Sequence, residues 1–67
     1  MTIYKVETKM INPLRECMDI YSNYEDAIGF YNGVKMNPDC ASIEVLKMEN
    51  TNNCSLFKVV EIVASYS

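Results

Sequence analysis

The sequence predicts an α+β fold: a four-stranded antiparallel sheet in β-β-α-β-β order, with one helix packed on one face. Three observations predict it. Four segments have strand-like patterns, one central segment has helical periodicity, and polar or proline-containing turns separate them. With 67 residues, the chain is expected to form a single domain over 1–67, built from a hairpin at 2–21, a helix at 22–36 and a hairpin at 41–66.

The first hairpin begins with residues 2–10, in which polarity alternates from one residue to the next. One side of this strand would carry the less polar residues Tyr4, Val6, Thr8 and Met10. Asn12-Pro13 indicates a turn, because proline fixes its own φ and moves the preceding residue away from helical φ/ψ values. The run Arg15–Tyr21 can then return as an antiparallel strand.

The helix is the most clearly marked element. Ser22–Glu25 has the S-x-x-E form of a capping box, with Ser22 as the predicted N-cap. The residues expected to face the core recur at i, i+3, i+4 and i+7, and they are Tyr24, Ala27, Ile28, Tyr31, Val34 and Lys35. Phe30 lies at the margin of this stripe, where it either seals the helix against a sheet edge or meets a partner. The helix should end near Met36.

The second hairpin joins a strand at 41–49 to the longest strand-like segment, 54–66, through a polar turn at 50–53. Simple alternation gives one side of the last strand Leu56, Val60, Ile62 and Ala64. It gives the other side Phe57, Val59 and Val63, interrupted by Glu61. Both sides of the last strand are therefore predicted to be apolar.

A strand that is apolar on both sides predicts a docking surface, because one helix can cover only one face of the sheet. Burial of apolar area is worth about 25 cal/mol per Å². We therefore expect association through the open sheet, as a homodimer or with another protein, while an exposed edge strand offers a second route. The predicted interface consists of Phe57, Val59 and Val63, with Tyr21 and Phe30 at its rim.

The same pattern allows an alternative without a docking surface. In it, the last strand is a twisted central strand, and its second apolar side is covered by Tyr21, Phe30 and the stems of lysines. No docking surface would then be needed.

Charge and cysteine content argue against several other classes of protein. The net charge is −3 and the basic residues are dispersed, so nucleic-acid binding is not expected. An apolar run of about 18 residues and a signal-peptide pattern are both lacking, so we expect a cytoplasmic protein without a membrane span. The odd set Cys17, Cys40 and Cys54 has no C-x-x-C pair, and there is no histidine, so no metal or other cofactor is expected.

The same composition predicts a protein that is not an enzyme. Histidine is the usual general base at neutral pH, and the two glycines form no phosphate-binding loop. Catalysis would need two carboxylates to converge from the set Glu16, Asp19, Glu44 and Glu61. An alternative function is the binding or sequestering of a small ligand, a nucleotide or a peptide fragment. Its pocket would lie between the sheet and the helix or at a dimer seam, and it would be lined by Tyr4, Tyr24 and Tyr31.

The passage Tyr21–Ile28 contains the pattern S-x-Y-E-x-A at the start of a helix that lies between two hairpins. In this passage and in its architecture the chain resembles small uncharacterised proteins of phages and mobile elements. The resemblance implies a non-enzymatic accessory protein that binds a larger host or phage enzyme and alters it, and it assigns no functional residues. Together with the two-sided strand, it predicts a self-associating interaction module that modulates or inhibits a larger protein.

Overall fold

The computed structural model describes residues 1–50 and 56–67. Its elements, in chain order, are β1 (Thr2–Met10), β2 (Arg15–Tyr21), α1 (Tyr24–Lys35), β3 (Cys40–Glu49) and β4 (Lys58–Tyr66). The four strands form one antiparallel sheet, which confirms the predicted α+β class and the β-β-α-β-β order. The predicted turn at 50–53 and the first residues of the predicted 54–66 strand lie mostly outside the described residues.

The order of strands across the sheet is β2-β1-β3-β4, so β1 and β3 are central and β2 and β4 form the two edges. In the centre, Val6 of β1 faces Val45 of β3. The alternative in which the last strand is central is therefore wrong. The first hairpin and the second hairpin join through their inner strands, which leaves the last strand with a neighbour on one side only.

The helix begins one residue later than the capping-box pattern predicts. Asn23, and not Ser22, is the N-cap, and its side-chain Oδ1 accepts a hydrogen bond from the backbone N–H of Asp26 at 2.8 Å. The Asn23 Nδ2 also donates to the Asp26 carboxylate at 2.9 Å. Asparagine caps a helix as well as serine does, and here Asp26 supplies the acidic group that also suits the positive end of the helix dipole.

The core lies between α1 and one face of the sheet. Its buried cluster consists of Val6, Met10, Ala27, Tyr31, Cys40, Ile43 and Val45. The helix packs mainly against β3, β1 and β2. The alternation predicted for β1 is observed, since Val6, Thr8 and Met10 are all buried on this side. We call this side of the sheet the helix face and the opposite side the bare face.

β4 departs from regular alternation at two bulges against β3. At the first bulge, Val45 faces Ala64 while the next residue of β3, Leu46, faces Ile62. Val63 is therefore an extra residue in β4. It packs against the core cluster on the helix face.

The second bulge lies three residues nearer the start of β4. Lys47 faces Glu61 while the next residue of β3, Met48, faces Val59. Val60 is the extra residue here. Each extra residue reverses the order in which successive side chains alternate between the two faces.

The bulges correct the predicted division of the last strand into two uniform sides. Alternation placed Val59 and Ile62 on opposite sides, but the extra residue between them brings both to the bare face. Their partners Met48 and Leu46 are two residues apart in a regular stretch of β3 and so share that face. Val63, which alternation grouped with Val59, packs toward the helix instead.

Candidate protein-interaction surface

The bare face carries a group of apolar side chains in two neighbouring rows across the sheet. We call it the apolar patch, and it consists of Ile3, Ile20, Leu46, Met48, Val59 and Ile62. One row runs from Ile3 through Met48 to Val59, and the other passes through Lys5, which faces both Ile20 and Leu46. All four strands therefore contribute to one surface.

Burial within the apolar patch is uneven. Leu46 is only 8% exposed, whereas its partner Ile62 is 61% exposed and Val59 is 51% exposed. The patch thus has a covered centre on β3 and an open margin on β4. Lys5 lies within the second row, between Ile20 and Leu46, and its ammonium group forms an ion pair of 3.6 Å with Glu7. Its aliphatic stem can then line the patch while the charge stays at the rim.

The other half of the bare face is polar. A shallow concavity of about 550 Å³ lies there, and its polar lining includes Glu7, Lys9, Glu16, Ser42, Glu44 and Ser65. Glu7 and Glu44 face each other directly across β1 and β3. Like charges in this arrangement repel, so this half favours water over a close apolar contact. The polar half therefore bounds the apolar patch on one side.

The outer edge of β4 is a second exposed feature. β4 pairs with β3 on one side, and no described strand pairs with its other side. Edge strands expose backbone N–H and C=O groups, and proteins commonly protect them with charged side chains. The opposite edge, β2, carries Arg15, Glu16 and Asp19 in seven residues. β4 carries only Lys58 and Glu61 in nine residues, so it is the less protected edge.

The five residues of the predicted interface do not form one surface in the structure. Val59 lies on the bare face, and Phe57 is half-buried immediately before β4. Val63 packs against the core. Tyr21 and Phe30 contact each other with ring centroids 5.8 Å apart, on the helix face at the β2 edge. They lie at the opposite edge of the sheet from β4, and Phe30 takes the sealing role between helix and strand.

Sequence reasoning did not select the other members of the apolar patch. Alternation in the two central strands could have found Ile3, Leu46 and Met48, because each lies one position away from a residue of the opposite face. Ile20 would then follow as their neighbour on β2. Ile62 could not be placed in this way, since the bulge at Val60 leaves no clear signal in the sequence.

The tyrosines predicted to line a ligand pocket take part in packing contacts. Tyr4 and Tyr24 form an edge-to-face pair with centroids 5.9 Å apart. Tyr31 is buried in the core, and the Lys35 ammonium lies 4.9 Å from its ring centroid. None of the three lines the concavity on the bare face. A ligand site built from them stays a prediction.

Carboxylates and thiols are spread over the two faces of the sheet. Glu16 and Glu44 both line the concavity on the bare face, whereas Asp19 faces Val6 on the helix face. Within residues 1–50 and 56–67, no group of three or more histidine, cysteine or acidic side chains is placed to hold a metal ion. Cys17 is exposed, Cys40 is buried, and the remaining cysteine lies outside the described residues.

Comparison with known proteins gives no relative. No protein-family model matches the chain, and no curated protein or solved structure matches it either. Among the described residues, no helix is long and apolar enough to cross a membrane. The surfaces described above are therefore the basis for assigning a function.

Proposed function

We propose that this protein is a non-enzymatic interaction module of the cytoplasm, which self-associates and binds a larger protein through the apolar patch, thereby modulating or inhibiting it. One observation carries the proposal: Val59 and Ile62 stay more than half exposed beside the buried Leu46. A fully buried side chain of this kind contributes roughly 2 kcal/mol, so covering the exposed halves of Val59, Ile62 and Ile20 would contribute about 3 kcal/mol in total.

The shape and rim of the patch suit a protein partner. Interfaces between proteins have an apolar centre and a polar rim, and a few anchors near the centre supply most of the binding energy. Here the apolar side chains adjoin Lys5, Glu7 and Glu44 at the polar boundary. The patch lies on a sheet surface and not in a deep cavity, which favours a broad protein surface over a small molecule.

Substitution of Ile62 by aspartate tests the proposal. Ile62 is exposed, so Ile62→Asp places a charge in the apolar patch without opening the core. Leu14→Asp is the matched control, because Leu14 is also exposed but lies in the turn between β1 and β2. Tagged wild-type, Ile62→Asp and Leu14→Asp chains would be expressed in the native cell, and the proteins bound to each would be identified and then purified.

The expected result is a protein that binds wild type and Leu14→Asp but loses at least about tenfold in affinity for Ile62→Asp when the purified components are mixed. Circular dichroism would verify that the three chains are equally folded. If every partner binds Ile62→Asp as tightly as it binds wild type, the apolar patch is not the binding surface and the proposal is contradicted.

The binding of a small ligand is the second candidate function, and the concavity of about 550 Å³ on the polar half favours it. Ligand pockets commonly have volumes of roughly 300–1,000 Å³. Native mass spectrometry of protein purified from its own cell tests this function. A small molecule bound in equimolar amount, and lost on Glu44→Gln substitution, would support it. Protein that carries no added mass would contradict it.

A further inference from the structure

We infer that a second copy of this chain pairs with the outer edge of β4, antiparallel and about a twofold axis, so that two four-stranded sheets become one continuous sheet. The inference rests on the proposed function, since it names the partner in self-association. It adds a contact that the apolar patch alone does not define, namely the strand edge and its register. A twofold axis makes the same edge serve both copies.

Two copies of the segment 57–62 that run antiparallel place complementary side chains opposite each other. When two copies run antiparallel and Val59 faces Val60 of the other copy, Lys58 faces Glu61 and Phe57 faces Ile62. Symmetry produces each of these contacts twice. The pairing thus joins apolar residues to apolar residues and opposes each charge with its opposite, which is the arrangement that stabilises cross-strand neighbours.

The bulge at Val60 makes this register possible. A twofold axis perpendicular to a sheet keeps every side chain on its own face, so two residues can face each other only if both lie on the same face. In a regular strand Lys58 and Glu61, three residues apart, would lie on opposite faces. Here Lys58 faces Glu49 and Glu61 faces Lys47, so both lie on the helix face.

Bulges on an edge strand usually hinder pairing with another strand. In the proposed dimer both copies carry the same extra residue, Val60, at the twofold axis. The two irregular segments therefore oppose each other, and neither faces a regular strand. Beyond the axis, Lys58 and Glu61 meet on the helix face, and Ile62 on the bare face is followed along the pairing by Phe57, the residue before β4.

Among the described residues, Lys58 and Glu61 form no ion pair within 4 Å, although each faces an opposite charge on β3. Lys47 forms its ion pair with Glu49 of the same strand, at 3.7 Å. The other described ion pair joins Lys5 and Glu7. Lys58 and Glu61 take part in neither. A register that placed Glu61 opposite Glu61 would instead bring like charges together.

The proposed dimer also enlarges the apolar patch. Val59 and Ile62 lie on the bare face near the twofold axis, so the two copies bring their exposed margins side by side. A larger protein would then meet one surface built from two patches. Self-association would use the backbone edge of β4 and the flanks of Val59 and Ile62, whereas the larger protein would cover the outward side of the sheet face.

Charge reversal across the twofold axis tests the register. In Lys58→Glu the two copies would oppose glutamates, and in Glu61→Lys they would oppose lysines, so each variant should self-associate weakly. When the two variants are mixed in equal amounts, each mixed dimer again opposes lysine to glutamate. Lys9→Glu is the control, because Lys9 is an exposed lysine on β1, and β3 lies between β1 and β4.

Sedimentation velocity over a concentration series would give the dimer dissociation constant of each sample. Two reversed pairs per dimer, at roughly 0.7 kcal/mol each, should raise the constant about tenfold for Lys58→Glu and for Glu61→Lys. The mixture should return to within about threefold of wild type, and Lys9→Glu should match wild type. Each reversed charge also faces a like charge of β3 in its own chain. Mixing the two variants cannot relieve this repulsion within a chain, so recovery in the mixture reports on the contact between the two copies.

Three results would overturn the inference: a wild-type chain that stays monomeric, charge-reversed variants that dimerise like wild type, or a mixture as weak as its components. Circular dichroism would first establish that both variants are folded. If both reversed variants dimerise normally and Ile62→Asp does not, the copies associate through the sheet face. The register proposed here then fails while the proposed function stands, whereas undiminished partner binding by Ile62→Asp makes the proposed function fail.

Discussion

Two regions of one sheet differ sharply in burial although their compositions are similar. On the helix face of the central strands, Ile43 is 1% exposed and Val45 is fully buried. On β4, Ile62 and Val59 are more than half exposed. Hydrophobicity therefore does not decide which of these strands is covered. Two positions decide it: α1 covers Ile43 and Val45, whereas Val59 and Ile62 lie on the opposite face and on an edge strand.

The dimensions of the elements explain why α1 does not also extend over the helix face of β4. A helix with its side chains is about 10 Å wide, and strands lie about 4.8 Å apart, so one helix spans roughly two to three strands. α1 packs mainly on β3, β1 and β2. The molecule is accordingly flat, with extents of 42 × 21 × 15 Å. Its radius of gyration is 12.6 Å, while a compact chain of this length would have about 11 Å.

The largest effect is expected from truncating one isoleucine in each region. Ile43→Ala should lower the free energy of unfolding by about 3 kcal/mol, because it leaves a cavity at a site that α1 covers. Ile62→Ala should lower it by less than about 1 kcal/mol at concentrations where the chain is monomeric, because water already reaches this side chain. Urea unfolding followed by circular dichroism measures both values.

Equal losses for the two isoleucine variants would break the comparison between the regions, since β4 would then contribute to the core as much as β3 does. If Ile43→Ala does not fold, Ile43→Val and Ile62→Val provide the same contrast with a smaller cavity. The expected loss for Ile43→Val is about 1 kcal/mol.

A smaller effect is expected at Thr8, in the buried region. Its hydroxyl is buried and makes no hydrogen bond with any described residue. Thr8→Val keeps the shape of the side chain and removes the unpaired polar group, so it should raise the free energy of unfolding by about 1 kcal/mol. The reciprocal variant Val6→Thr should lower it. A stability decrease in Thr8→Val, again measured in urea, would show that the hydroxyl has a partner.

The helix that covers the buried region can itself be made more stable. Gly29 lies in the middle of α1, and a Cβ added there would meet no atom within 4 Å outside its chain neighbours and the nearby helix backbone. Gly29→Ala should therefore raise the free energy of unfolding by about 0.8 kcal/mol through helix propensity alone. Gly33→Ala, closer to the end of the helix, should have the same sign and a smaller size. Thermal unfolding of both variants checks the order, and a loss of stability in Gly29→Ala would contradict it.

The sequence predicts the architecture because the relevant signals are local. Alternation in β1, the Asn12-Pro13 turn and the periodicity of the helix each depend on neighbouring residues, and all three agree with the structure. The observed N-cap is Asn23 and not the predicted Ser22. Both residues can cap a helix, and the hydrogen bonds between Asn23 and Asp26 favour Asn23.

The candidate surface was less predictable because it depends on contacts between distant segments. Whether β4 is central or at an edge is decided by how the two hairpins join, which no single segment encodes. The bulges at Val60 and Val63 determine which side chains of β4 share a face, and valine is equally suited to regular and bulged positions. Simple alternation therefore groups Val59 with Val63, while the neighbour of Val59 on the bare face is Ile62.

The smallest expected effect concerns pH and the edge of the sheet opposite β4. Burial raises the pKa of the Tyr21 phenol above its ordinary value of 10.0, and the nearby carboxylates of Asp19 and Asp26 raise it further. At a pH between the ordinary pKa of the unfolded chain and the higher pKa of the folded chain, the folded chain keeps a proton that the unfolded chain has released. The contribution of Tyr21 to stability is therefore complete below pH 10 and is lost as the pH rises through the higher value.

Tyr21→Phe cannot lose a proton, so its free energy of unfolding should fall less steeply above pH 10 than that of wild type. Because β2 is sealed by the contact between Tyr21 and Phe30, this titration should loosen the sealed edge and leave the apolar patch on β4 unchanged. Parallel stability curves for the two proteins would mean that the Tyr21 phenol is no more protected from water when folded than when unfolded.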